Sequence, residues 1–360
     1  MRVLVTGGTG LIGTALFQHL RRVHPDWFIW IYSRRTGGDI LDHEYLEKAI
    51  EGKDLVFHLA ANSHVDFSIH GPLTEKQHYL DTNAKGTLNV LEACRKAGAK
   101  MVHVSTSEVY GTNMEPGVPM TEDHPLLAQA GTYAVSKACA DLLCRMAHMT
   151  TGQDVVTVRP FNQVGPHQSS EKLFPRFIEQ GLAGDPITIY GDGEQLRDYV
   201  HVQDTACALV AAAQLKAGTI VNIGTERSYS VNQIAEKIIL ATGDRTMATH
   251  IHTEARPAEV RELNGSYQKL HDLTGWEPTM FLDDVIGDLV GWYAANGEIM
   301  PPVRGVMPPM VGGLTSSGTV TYASPPDVPA WTKDVSGGVP VAKPLSYWEA
   351  TQGGAKETPK

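Results

Sequence analysis

The sequence predicts an α/β protein: a doubly wound parallel sheet with a smaller C-terminal α/β lobe. Three observations carry that reading. Short apolar runs alternate with helical patterns from the first residues to about residue 295. Several of these runs are apolar throughout, as strands covered on both faces must be. The first run enters a glycine-rich turn directly, and a helix follows that turn.

Composition narrows the function. Hydrophobic residues make up 42% and charged residues 19% of the 360, which fits a globular chain. A net charge of -10 disfavours nucleic acid and anionic membrane surfaces as partners. A small anionic ligand needs only a few local arginines. No apolar run reaches bilayer-spanning length, and Arg2 to Gly7 reads as a buried strand entering a turn, not a leader. Cys94, Cys139, Cys144 and Cys207 show no paired or metal-type spacing, so free thiols in a reducing cytoplasm are expected.

The first strand, Val3-Leu4-Val5, leads into Thr6-Gly7-Gly8-Thr9-Gly10-Leu11-Ile12-Gly13. Gly7, Gly10 and Gly13 allow a tight turn and close approach of a pyrophosphate. The helix from about Leu11 to Arg22 offers its amides and positive end to that anion. This is the Rossmann-type signature of a dinucleotide site. Trp27 to Tyr32 is the second strand. It ends in Tyr32-Ser33-Arg34-Arg35 where NAD-preferring folds place an acid for the ribose hydroxyls. Two guanidiniums and a hydroxyl suit a 2′-phosphate, so NADP is favoured and NAD stays possible. Asp39, before Ile40, is placed to reach an adenine amino group.

Leu46 to Ile50 reads as a short amphipathic helix, and Asp54 to Ala61 as a buried strand ending in the loop Asn62 to Ser68. His58, His64, His70 and His78 match no metal spacing and read as core or loop histidines, so no metal is expected. Thr82 opens a helix to about Ala97, and Met101 to Ser105 is the next strand. Its end carries Thr106, able to bind a substrate hydroxyl, and then Ser107 and Glu108, a second acid/base. A proline-containing loop from Met114 to Gln129 precedes Thr132-Tyr133-Ala134-Val135-Ser136-Lys137. On a helix through Met149, Tyr133 and Lys137 share a face. A free tyrosine, with a pKa of about 10, is a poor base. A neighbouring ammonium is expected to lower that value and make a base for a hydroxyl proton.

Val155 to Pro160 is a strand and Phe161 to Pro166 a loop. Leu173 to Leu182 is a helix, Ile187 to Tyr190 a strand, Val202 to Gln214 a buried helix and Thr219 to Ile223 a strand. Val231 to Thr242 is a helix, Arg256 to Arg261 irregular, and Leu282 to Ala295 the last helix. From Pro301 the chain turns Gly/Pro-rich without periodicity and reads as an extension, with Trp331 and Trp348 as docking points. The expected division is a dinucleotide domain over 1–165, continued at about 198–225, and a substrate lobe from 166–197 and 226–300.

Taken in order, several motifs resemble the extended short-chain dehydrogenase/reductase family of nucleotide-sugar epimerases and dehydratases. They are Thr6 to Gly13, Asp39-Ile40, His58-Leu59-Ala60-Ala61, Asn83, Thr106, Tyr133 with Lys137, Arg159-Pro160, Asn162, Arg197-Asp198 and Gly275-Trp276-x-Pro278. The resemblance spans about residues 1–295. It implies cofactor contacts at Gly7, Gly10, Leu11, Ile12, Gly13, Ser33, Arg34, Arg35, Asp39, Ile40, Leu59, Ala60, Ala61, Asn83, Ser105, Tyr133, Lys137 and Pro160. It implies catalysis by Thr106, Ser107, Glu108, Tyr133 and Lys137. Substrate contacts fall to Ser63, His64, Val65, Asn162, Lys172, Arg197 and Arg256. The partner implied is a nucleotide-diphosphate sugar, and the assembly a homodimer paired through Thr87 to Ala97 and Ala134 to Met149.

Within the family, Ser63-His64-Val65-Asp66 and Glu171-Lys172-Leu173 are similar to dTDP-glucose 4,6-dehydratases. Thr106-Ser107-Glu108 is similar to GDP-mannose 4,6-dehydratases. The activity implied is 4,6-dehydration. A 4-epimerase, a decarboxylase, a 4-keto reductase or a non-catalytic nucleotide-sugar sensor are the alternatives. Ser107 departs from dTDP-glucose dehydratases, which carry an Asp there to protonate the departing water.

Overall fold

A computed structural model describes residues 1–243, 250–254 and 260–296 of the chain. Arg256 and the extension from Pro301, with its two tryptophans, lie outside the described residues.

The centre is a six-stranded sheet whose described pairings are all parallel. Its strands are β1 (Arg2–Thr6), β2 (Phe28–Tyr32), β3 (Leu55–His58), β4 (Lys100–Val104), β5 (Val155–Pro160) and β6 (Ile220–Ile223). Their spatial order is β2-β1-β3-β4-β5-β6. The chain steps outward from β1 to β2, then returns past β1 to β3, so the order reverses between β1 and β3. In open parallel sheets that reversal leaves a crevice at the strands' carboxyl ends.

Alternation of side chains along the strands builds two cores. Val3, Val5, Val102, Val104, Val156 and Val158 point to one face, where α1 (Leu11–Val23) and the helix Val202–Ala212 pack. Leu4, Val56, Met101 and Val155 point to the other, under α2 (His43–Ile50) and the helices below. The α1 helix follows from its stripe Gly13, Leu16, Leu20, one face at helical spacing. A third cluster, with Phe174, Phe177, Ile187, Ile189, Ile234, Ile238 and Leu289, forms a separate core at the carboxyl end of the chain. Beside it a small sheet centres on Leu196–His201, and Ile187–Tyr190 pairs with His250–Thr253.

Three stretches differ from expectation. The loop after β3 contains two helices, α3 (Val65–His70) and α4 (Leu73–Tyr79). A π turn over Leu80–Lys85 then joins α4 to α5 (Gly86–Ala97), so the expected single helix from Thr82 has an irregular start. Asn162–Val164 is no loop. It is a short strand pairing in parallel with Tyr199 to His201, and three residues are too few to show a period. The tyrosine helix, α6, spans Gly131–Thr151 and carries both Tyr133 and Lys137. No helix among the described residues is long and apolar enough to cross a membrane.

Candidate active site

The glycine turn lies at the reversal between β1 and β3. Gly7 has φ +69°, and a Cβ there would stand 2.6 Å from the Ala60 amide nitrogen. A Cβ on Gly13 would stand 2.5 Å from the Gly7 carbonyl oxygen. Neither position takes a side chain, so α1 starts hard against the ends of both strands. Gly10, at the helix N-cap, gives no side-chain cap. The first-turn residues Leu11, Ile12 and Gly13 line the cleft. An anion there would complete their amides, so the turn fits a pyrophosphate.

The cleft has a volume of about 1680 Å³. Pockets for one drug-sized ligand run to about 1,000 Å³, so a dinucleotide and a second ligand can share it. Its wall carries every described residue expected at the site except Asn83. Ser33 and Thr36 cap each other around the turn Arg34–Thr36, and this leaves Arg34, Arg35 and Asp39 exposed at the adenosine end.

Asn83 lies behind the wall and is 1% exposed. Its Oδ1 accepts from the Asn62 amide at 2.7 Å, and its Nδ2 donates to the Asn62 carbonyl and to Ser136 Oγ, both at 2.9 Å. Ser136 Oγ in turn donates to the Tyr133 carbonyl at 2.8 Å. Asn83 is thus a clamp between the end of β3 and α6, positioned by the π turn.

Thr106 sits just past β4 and caps the turn Ser107–Val109, accepting from the Glu108 amide at 3.3 Å. Its side chain also lies close enough to the Tyr133 phenol to lower that group's pKa, so strand end and helix approach one another on the cleft wall. The electrostatics correct the sequence argument. Burial pushes the Tyr133 phenol up to about 12; Thr106 lowers it, and the Glu108 carboxylate raises it. Burial pulls Lys137 down to about 8. Its ammonium donates to the Val104 carbonyl at 2.7 Å. Burial is thus the largest influence on the phenol, and Lys137 is not among the groups that shift it.

Four cleft residues carry buried polar atoms with no partner among the described residues: Ser105 Oγ, Asn162 Oδ1, Gln163 Oε1 and Gln168 Oε1. Such an atom costs about 1–3 kcal/mol unless paired, so the wall is built for a polar ligand. Gln163, Gln168, Arg176 and Tyr190 line the cleft and were missed by sequence reasoning. The run Asn162-Gln163 beside a strand end was the available signal. The Arg197-Asp198 motif divides: Arg197 lines the cleft, while Asp198 is fully buried. Asp198 accepts from the Thr225 amide (2.8 Å), the Thr225 hydroxyl (2.6 Å) and the Gly265 amide (3.1 Å). Gly275-Trp276-x-Pro278 is structural too, with Trp276 Nε1 donating to the Asp204 carbonyl at 3.2 Å. His58 is a core residue bonded to Thr6 and Thr87.

Residues 3–224 match the family model described as the NAD dependent epimerase/dehydratase family. The chain belongs to that family. The dTDP-glucose 4,6-dehydratase of Salmonella typhimurium is 31% identical over 351 residues, spanning 84% of this chain and 96% of that one. A solved dTDP-glucose 4,6-dehydratase from Bacillus anthracis, in complex with NAD, superposes with a TM-score of 0.73 at 27% identity, covering 82% and 97%. The UDP-glucose 4-epimerase of Thermotoga maritima with UDP-glucose gives 0.76 at 27% identity, covering 83% and 100%. Membership in the NAD dependent epimerase/dehydratase family makes the glycine turn a nicotinamide-dinucleotide site and the protein an enzyme.

Proposed function

We propose that the protein is a nucleotide-sugar 4,6-dehydratase. The observation that carries this reading is the meeting of Thr106, Tyr133 and Glu108 on one wall of a cleft with room for two ligands. The curated relative from Salmonella supports it.

A dinucleotide held at the glycine turn would supply reversible hydride chemistry, as acceptor toward carbon 4 of the sugar and as donor toward carbon 6. Tyr133 takes the proton of the sugar's 4-hydroxyl, which Thr106 orients. Glu108 removes the proton on carbon 5, made acidic by the new 4-keto group. The carbon-6 hydroxyl leaves as water, with Ser107 passing it a proton through solvent. Asn162, Lys172, Arg197 and Arg256 anchor the nucleotide diphosphate, guanidinium forks matching phosphate oxygens. Residues 1–165 with 198–225 would hold the cofactor, and 166–197 with 226–300 the nucleotide sugar.

Arg34, Arg35 and Ser33 support a preference for NADP, since β2 ends without an acid. NAD binding at least as tight as NADP binding, in a titration of the apoenzyme, rejects that preference. Val135, Leu142, Met146 and Met149 form an exposed apolar stripe along α6. A second copy would cover it, giving a dimer by sedimentation.

A second reading, 4-epimerisation, is favoured by one observation: Ser107 is a weak acid where water must be protonated. Incubation with a panel of nucleotide sugars, followed by mass analysis, decides. Loss of one water supports the dehydratase, an unchanged mass with inverted carbon 4 supports the epimerase, and loss of carbon dioxide supports a decarboxylase.

A further inference from the structure

Tyr79 ends α4, where the helix passes into the π turn, and its side chain is 1% exposed. It makes two contacts toward the active site. Its hydroxyl donates to the His64 carbonyl oxygen at 2.5 Å. Its ring meets that of Tyr133 edge-on, with centroids 6.5 Å apart and planes at 70°. His64 then extends the line. Its Nε2 lies 2.7 Å from Glu171 Oε2. His64 and Glu171 both line the cleft, His64 beyond β3 and Glu171 beside Lys172, the N-cap of the helix Leu173–Ala183. The contacts Tyr133–Tyr79–His64–Glu171 thus run from the phenol across the cleft to the loop that carries a proposed diphosphate anchor.

We propose that Tyr79 is a positioning residue that ties this cross-cleft bridge to Tyr133, so that seating the nucleotide sugar and seating the phenol are one event. The inference rests on the nucleotide-sugar reading of the cleft. The physical ground is a difference in rigidity. A half-exposed side-chain contact such as His64–Glu171 is weak alone, because water competes for it and two mobile side chains must be held. It becomes a defined tie only if the His64 backbone is fixed, and the Tyr79 hydroxyl fixes it from a buried position. The Tyr79 ring, packed on Tyr133, transmits that fixed geometry. Misplacement of a reacting group by about 1 Å can cost on the order of 10²-fold in rate.

The test is a double-mutant cycle on turnover of the nucleotide sugar. Tyr79→Phe keeps the ring against Tyr133 and removes only the hydroxyl. Glu171→Gln removes the charge at the exposed end and carries little risk to folding. Each variant alone is expected to lower kcat/KM about 10-fold, with most of the change in KM. Together they should lose little more than either one. Losses that multiply overturn the coupling. So does a Tyr79→Phe enzyme with a lowered Tm but wild-type KM and kcat, since that marks a purely structural hydroxyl. Wild-type protein in the same assay separates the two readings. If it turns over no nucleotide sugar, the reading of the cleft falls and the inference with it. If it turns over normally and the losses multiply, only the coupling falls.

Discussion

Tyr110 and Tyr133 are both buried tyrosines, yet only Tyr133 lines the cleft. The Tyr110 hydroxyl donates to Asn222 Oδ1 at 2.6 Å and accepts from Arg159 Nη1 at 3.0 Å. Arg159 is fixed by a two-pronged pair with Asp141 at 2.8 and 2.9 Å. The cluster is closed: Tyr110 is 0% exposed, and burial holds its phenol well above the usual range despite the guanidinium. Tyr133 shares the high value but not the closure. Its phenol lies beside Thr106, and the residue lines the cleft. The lesson concerns access. A cation beside a phenol is not enough: at Tyr110 burial outweighs the guanidinium. An open side toward a ligand separates the two.

Removing each hydroxyl in turn breaks or sharpens that contrast. Tyr133→Phe should give the largest effect, a fall in kcat of at least about 10³-fold with Tm shifted by no more than a few degrees. Wild-type turnover by this variant would end the assignment of the phenol as base. Glu108→Gln comes next. It should slow product formation about 10²- to 10³-fold yet leave the first hydride transfer, so reduced cofactor accumulates in the absorbance trace. If no reduced cofactor builds up, Glu108 acts before carbon 5 is reached. Tyr110→Phe inverts the pattern. It strips a partner from Arg159 and Asn222 and should destabilise by about 1–3 kcal/mol in denaturant melts, with kcat within about 3-fold of wild type. A large loss of kcat there would place Tyr110 in the chemistry and collapse the contrast.

How legible this arrangement was depended on the length of each element. The strands and α1 declared themselves because apolar patterning ran over many residues. The meeting of Thr106 with Tyr133 followed from strand end and helix face. Val65–His70 was unreadable because six residues hold barely two turns. Its shape comes from packing on α6, where a Cβ on Gly131 would stand 2.7 Å from Ile69 Cγ1. The π turn that aims Asn83 at Ser136 has no compositional signature, so the clamp it forms between β3 and α6 is invisible in the sequence. Tyr79 was passed over for the same reason. The charge argument for Lys137 failed for a different one. Spacing shows that two groups share a helix face, but only the folded environment shows that burial governs each of them and that neither shifts the other.

The last expected effect, read in stability and not in turnover, concerns a polar group with no open side at all. Burial pulls His58 down to about 3 from an unfolded value near 6.5. Between those values the unfolded chain binds a proton that the native residue refuses. Stability therefore rises with pH across this window and falls as acid is added, by about 1.4 kcal/mol per pH unit for this one group. Its full contribution is present above pH 6.5 and gone below about 3. His58→Gln keeps a side chain able to bond Thr6 and Thr87 but has nothing to titrate. The variant should be less stable at neutral pH, because two buried bonds are reshaped, and its stability should fall less steeply between pH 6 and 4. Urea melts at a series of pH values read both quantities. Parallel curves for the two proteins would mean that native His58 takes up its proton in acid. The closed polar clusters would then be open to solvent on the timescale of the melt, and the access that distinguishes Tyr133 from Tyr110 would no longer be a property of the fold.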